Sequence, residues 1–177
     1  MRKLFCLLAL LFVFVASAQA QRRGRLEVSG GPVYPLKSID GYKNTPFCVF
    51  LIGYSRNVPA SRLWLGTELG ISAAARKVLE PISSSAADYE SCRTFSFSFS
   101  TDFTCVRWDI GELQAGAALG VAQRATFCPS FSLDEEVGLF VNPRVSVILW
   151  DRMKVTLEGR FTHSLYDTVG MRVGYVF

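Results

Sequence analysis

The stretch Phe95-Ser-Phe-Ser-Phe-Ser-Thr-Asp-Phe-Thr-Cys105 decides how the chain is read. On an extended backbone Phe95, Phe97, Phe99 and Phe103 point one way, and Ser96, Ser98, Ser100, Asp102 and Thr104 point the other. A period of two marks a β-strand with unlike faces. The helical period of 3.6 would scatter these phenylalanines around the axis.

The same split recurs on both sides of this segment. Leu63, Leu65, Leu69 and Ile71 oppose Gly66, Glu68 and Gly70. Leu113, Ala115, Ala117, Leu119 and Val121 oppose Gln114, Gly116 and Gly120. Val137, Leu139, Val141, Val145, Val147 and Leu149 oppose Gly138, Asn142, Arg144 and Ser146. Val155, Leu157 and Phe161 oppose Thr156, Glu158, Arg160 and Thr162. Val169, Met171, Val173, Tyr175 and Phe177 oppose Gly170, Arg172 and Gly174, and near the start Leu26, Val28 and Tyr34 oppose Glu27 and Ser29. Phe47 to Tyr54 is apolar on both faces, so alternation leaves its register open. The pattern predicts eight strands, over 26–35, 46–56, 61–73, 93–107, 111–125, 137–150, 153–163 and 167–177.

Connection lengths give an independent check. The links Asn57-Val-Pro-Ala60, Trp108-Asp-Ile110 and Asp151-Arg152 are short turns. The first and second, third and fourth, and fifth and sixth strands are joined by longer loops, the longest running from Ala74 to Cys92, and the last link, around Ser164 to Tyr166, is short. Short turns alternating with longer loops predict an all-β, eight-stranded antiparallel up-and-down transmembrane β-barrel. Ten residues at about 3.3 Å, tilted about 40°, cover roughly the 25 Å apolar band of such barrels.

Two features argue for lipid outside the barrel. The apolar face of the predicted strands carries no Asp, Glu, Lys or Arg. The glycines Gly66, Gly70, Gly116, Gly120, Gly138, Gly170 and Gly174 lie on the polar face, where the narrow lumen of eight strands needs small residues. That face also carries Glu68, Arg144, Glu158, Arg160 and Arg172, expected near mid-height, and Asp102, expected slightly lower, as a paired network that fills and neutralises the lumen. A proton or ion path is the functional alternative for this network. Trp64, Trp108 and Trp150 fall near the ends that bear the short turns, where an aromatic girdle is expected. Strict alternation turns all three inward, so bulges near the strand ends are needed to bring them out.

Arg2 and Lys3 precede an apolar run from Leu4 to Ala16 and then Ala18-Gln19-Ala20. This order predicts a secretory signal over 1–20 and a barrel domain over 21–177. The run is shorter than the roughly 20 residues of a spanning helix. Removing Arg2 and Lys3 lowers the formal charge from +4 to about +2, a balance that does not point to nucleic acid. The cluster Arg22, Arg23 and Arg25 reads as a solvated tail or a contact for anionic headgroups.

With the signal, the alternating strands and the ending Gly170-Met-Arg-Val-Gly-Tyr-Val-Phe177, the chain resembles small outer-membrane barrels of the OmpA/OmpX type, including the outer-membrane β-barrel domain proteins of Bacteroidetes. The resemblance implies the outer membrane of a Gram-negative bacterium, contact with its lipid, and periplasmic chaperones and the barrel assembly machinery as partners during biogenesis. It implies Val173, Tyr175 and Phe177 as the C-terminal signal that this machinery reads.

Four cysteines follow the signal, Cys48, Cys92, Cys105 and Cys128, and export permits disulfides. Four cysteines allow three full pairings. The topology puts Cys105 at the opposite end from the others, and Cys92–Cys128 is the expected bridge, with unpaired cysteines as the alternative. No metal-ligand spacing and no cofactor motif occurs. The single histidine, His163, is followed by Ser164 and nearby Asp167, inviting comparison with lipid A deacylase barrels. There the histidine and serine are two apart on one strand face, whereas here they are adjacent and alternation points them apart. The leading expectation is therefore a barrel with a structural or surface-interaction role and no catalytic activity. Its interaction segments would be Lys37–Asn44, Arg76–Ser91 and Pro129–Glu136, their partner unidentified. A lipid-modifying acyl hydrolase and a soluble secreted β-barrel or sandwich holding a small apolar ligand are the alternatives.

Overall fold

The computed structural model describes residues 24–36, 42–78, 89–127, 134–162 and 167–177. The predicted signal, Cys128, His163, Ser164 and most of the three candidate interaction segments lie outside these residues. The strands are β1 (Gly24–Pro35), β2 (Tyr42–Asn44), β3 (Phe47–Asn57), β4 (Leu63–Val78), β5 (Tyr89–Trp108), β6 (Gly111–Phe127), β7 (Asp134–Leu149), β8 (Met153–Thr162) and β9 (Thr168–Val176). Eight of them form the barrel. Each pairs antiparallel with its neighbour in the order β1-β3-β4-β5-β6-β7-β8-β9, and β9 closes onto β1 from Glu27↔Val176 to Pro35↔Thr168. Closure lets neighbouring strands satisfy one another's backbone groups, the condition a sheet must meet in hydrocarbon.

The strand bounds shift from expectation by a few residues, most of all along β4 and β5. The link read as a loop from Ala74 to Cys92 is ladder at both its ends, because β4 runs to Val78 and β5 starts at Tyr89. The pair Lys77↔Tyr89 extends the hairpin well past the end of the apolar alternation. Within the link read as a loop over 37–44, Tyr42–Asn44 forms the short strand β2, paired with Arg76–Val78. Alternation marks a strand only where its two faces differ in character, so extension beyond the apolar band is silent in sequence. The result is an uneven wall: β5 has 20 residues and β9 has nine.

The faces divide as alternation predicts. Phe50, Phe99 and Leu119 are 68, 64 and 60 % exposed, while Asp102 and Arg144 are each 4 % exposed. The open register of the second barrel strand resolves with Phe50 and Ile52 outward and Val49 and Leu51 inward. Apolar outside and charged inside is the reverse of a soluble sandwich, and the charged lumen is not the apolar cavity that a small apolar ligand would need. Glycine sets how close the inner side chains come. A Cβ on Gly116 would lie 2.2 Å from Asp102 Oδ1 and 2.2 Å from the Thr101 carbonyl oxygen.

The ends of the strands settle the tryptophans. A β-bulge between Thr104 and Val106 inserts Cys105 and reverses the phase of β5, so Val106 and Trp108 turn outward. Trp150 and Asp151 both have positive φ, 51° and 57°, and Arg152 N–H donates to the Leu149 carbonyl at 3.0 Å. This is the backbone sense of a tight two-residue hairpin turn, and it leaves Trp150 exposed. Trp64 meets no bulge and stays inside the barrel mouth, buried. Two of the three tryptophans therefore join the outer girdle.

Candidate functional site

The lumen is a stack of charged layers, each assembled from inward positions of several strands. At the end that holds Gly24 and Phe177, Glu112 of β6 collects donors from three residues. Arg25 Nη1 lies at 2.5 Å, Arg107 Nη2 at 2.8 Å and Gln114 Nε2 at 2.9 Å. The Arg25 guanidinium also stacks over the Trp64 ring, 3.9 Å from its centroid. Arg107 reaches inward because the Cys105 bulge rephased its strand.

The middle layer holds two clusters. In the first, Arg144 of β7 grips Asp102 of β5 through Nε at 2.8 Å and Nη2 at 2.5 Å, and its Nη1 donates to Glu68 of β4. Asp102, Gly116 and Arg144 are consecutive cross-strand partners, and the missing side chain at Gly116 opens the gap that Arg144 spans. In the second cluster Arg172 of β9 donates to Glu158 and to the Ser29 hydroxyl, both at 2.8 Å, and lies 3.6 Å from Glu27. Asn142 Nδ2 donates to Glu158 at 3.0 Å, and Lys154 Nζ donates to Glu27 at 2.8 Å. Burying any one of these ions alone would be prohibitive, whereas paired and hydrogen-bonded they are tolerated.

Of the six lumen residues read from sequence, five are in direct ion pairs: Glu68, Asp102 and Arg144 together, and Glu158 with Arg172. Arg160 stands apart, with its guanidinium over the Phe140 ring, 4.4 Å from the centroid. Sequence reasoning left Lys154 and Glu112 out, yet parity identifies both. Lys154 is in phase with Thr156 and Glu158, and Glu112 with Gln114 and Gly116. Among the cysteines, Cys48 and Cys105 are free thiols at opposite ends of their strands. The expected Cys92–Cys128 bridge lies outside the described residues through Cys128. Of the acid–histidine–serine group only Asp167 is described, and its Oδ1 accepts the Thr162 N–H at 3.0 Å. Val173, Tyr175 and Phe177 all face outward; the rings of Tyr175 and Phe177 meet edge-on at 4.7 Å.

No protein-family model matches the sequence. No curated protein matches it. Solved structures do resemble it in fold. The crystal structure of Ail, the attachment invasion locus protein of Yersinia pestis, is 13 % identical and superposes with a TM-score of 0.50 over 88 % of this chain and 100 % of that one. The backbone structure of the same Yersinia pestis outer membrane protein in a phospholipid bilayer nanodisc is 14 % identical, TM-score 0.53, over 87 % of this chain and 99 % of that one. The crystal structure of Neisserial surface protein A is 10 % identical, TM-score 0.54, over 86 % of this chain and 95 % of that one. At these identities the shared property is the fold, a small closed antiparallel barrel.

Proposed function

We propose that the protein is a non-catalytic barrel spanning the outer membrane of a Gram-negative bacterium, with a structural or surface-interaction role. One observation carries this reading: the band of exposed apolar side chains around the barrel, including Phe50, Phe99, Leu139, Leu157 and Met171, encloses a lumen of buried ion pairs. An aqueous surround would leave that band without a partner, and a bilayer supplies one. The signal-like segment 1–20 and the fold shared with outer-membrane proteins support export and destination. Periplasmic chaperones and the assembly machinery would act during biogenesis, the latter reading the outward Val173, Tyr175 and Phe177. The interaction role would rest on Lys37–Asn44, Arg76–Ser91 and Pro129–Glu136, carried on the rigid wall below them.

The test is refolding in detergent followed by denaturing electrophoresis with and without boiling. A heat-dependent mobility shift, with β-rich circular dichroism, is expected. A soluble monomer in plain buffer that migrates identically in both lanes would overturn the reading.

A further inference from the structure

The bulge at Cys105 shapes the barrel mouth that bears the short turns. It turns Arg107 inward. It also leaves the Cys105 carbonyl outside the ladder, where Arg62 Nη1 donates to it at 3.4 Å. One irregularity thus sets two guanidinium groups at a single cavity, one from the β3–β4 turn and one from β5. The cavity has a volume of about 470 Å³ and is lined by Arg62, Arg107, Thr104 and Trp64, with Asn57 and Ser61 on its turn side.

The walls of this cavity are tied down. Asn57 Nδ2 donates to the Ser61 and Leu63 carbonyls at 3.3 and 3.1 Å, and Ser61 Oγ donates to the Val58 carbonyl at 2.9 Å. Arg107 is held on Glu112 through Nε at 3.2 Å and Nη2 at 2.8 Å. Side chains pinned before a ligand arrives lose less freedom on binding it.

Charge at the cavity is positive. No described carboxylate lines it. Glu112 is shared between Arg107 and Arg25, and Arg62 has no ion pair among the described residues. Asp109 and Asp151 line the adjacent recess, which shares Arg107. Arg107 Nη1 and most of the Arg62 N–H groups have no acceptor among the described residues. The Thr104 hydroxyl accepts from Gln114 Nε2 at 3.5 Å and keeps its own proton to donate.

Size and geometry narrow the anion. The volume falls within the roughly 300–1,000 Å³ of small-molecule sites. The two guanidinium forks come from different elements; a phosphate offers oxygens in several directions, whereas a carboxylate offers two in one plane. Trp64 and Thr104 are buried on the inner face, so the cavity opens to the mouth and not to the outer wall. We propose that this cavity binds the phosphate group of a small water-soluble phosphate ester, gripped by Arg62 and Arg107.

The probe is glucose 6-phosphate, titrated at constant ionic strength into protein folded in zwitterionic detergent micelles. The readout is the fluorescence of Trp64 in a chain carrying Trp108→Phe and Trp150→Phe, with folding checked by unboiled gel mobility. A saturable change at millimolar concentration is expected, with none from glucose. Arg62→Gln and Arg107→Gln should each raise the half-saturation about tenfold, the scale of a lost hydrogen bond to a charged group. Arg152→Gln, at the same end but outside the cavity, should leave it unchanged. Phosphatidylglycerol mixed into the micelles should leave it unchanged as well. No saturable change by about 100 mM, beyond the range of a millimolar site, would overturn the proposal. So would an equal response to glucose, an unchanged half-saturation in both cavity variants, or an equal weakening in Arg152→Gln. Displacement by phosphatidylglycerol would overturn it too, by giving the cavity to a lipid headgroup.

Discussion

Arg144 and Asp102, 42 positions apart in the chain, meet in the lumen through two parallel hydrogen bonds, Nε to Oδ1 at 2.8 Å and Nη2 to Oδ2 at 2.5 Å. Neither neighbours the other directly in the sheet, since β6 lies between their strands and contributes Gly116 at that level. The remaining Arg144 nitrogen donates to Glu68, so one guanidinium joins β4, β5 and β7 across the lumen.

Removing that guanidinium strands two buried carboxylates. Arg144→Met is expected to cost about 3–5 kcal/mol, the range for breaking a buried ion pair from one side. Combining it with Glu68→Gln and Asp102→Asn should restore most of the loss, because no uncompensated charge then remains. Equilibrium urea unfolding in micelles, followed by tryptophan fluorescence, measures both. A single-variant loss under about 1 kcal/mol, the scale of an exposed pair, would mean that water screens the cluster.

Glycine content in the lumen reflects clearance, and the clearances differ by position. Gly116→Ala must push against the Asp102 carboxylate and the Thr101 carbonyl, each 2.2 Å from the new Cβ. A destabilisation of about 1–3 kcal/mol is expected, as for overpacking elsewhere. Gly53→Ala meets its nearest atom, Glu68 Cγ, at 3.4 Å, an ordinary contact, and should fold normally. The folded fraction on unboiled gels compares the two; equal fractions would count against a tightly filled lumen.

A bilayer makes the cost of a charge depend on depth. Leu157 lies at the middle of β8 and Met153 at its start, both on the outer face. In phospholipid vesicles Leu157→Arg should cost about 2–4 kcal/mol and Met153→Arg about 0–1. Water outside the barrel predicts near-zero cost at both sites, so a flat profile would remove the membrane from the picture.

The three tryptophans should report different surroundings. In variants retaining one each, Trp108 and Trp150 are expected to be quenched by lipids brominated near the headgroup, and Trp64 to be protected behind the wall. Comparable quenching of Trp64 would place its ring outside, contrary to its stacking with Arg25.

Much of this architecture was legible in the chain. Alternation located all eight barrel strands, because an inside–outside contrast is imposed at every second residue wherever the wall crosses from lipid to lumen. It stopped short on the tall side of the barrel, where the ladder of β4 and β5 continues past the last alternating residues. The lumen was legible as composition and less so as partnership. Parity put Glu68, Asp102, Arg144, Glu158, Arg160 and Arg172 inside, but which carboxylate each cation takes depends on side-chain reach across a sheet whose stagger the sequence does not spell out. The left-handed turn at Trp150 and Asp151 and the bulge at Cys105 were beyond parity altogether, since both are departures from it.

Every ladder of the barrel joins barrel strands that follow one another along the chain except the one between β1 and β9, where Phe177 N–H donates to the Leu26 carbonyl at 2.8 Å. The seven other pairings can each form after a modest loop closes, whereas this seam must bring together segments separated by nearly the whole chain. The entropy of ring closure is therefore concentrated in a single event. Until it occurs, the growing sheet has two open margins able to recruit strands from other molecules. The last strand thus acts as a zip: its docking converts a sticky curved sheet into a cylinder with no margin left to share.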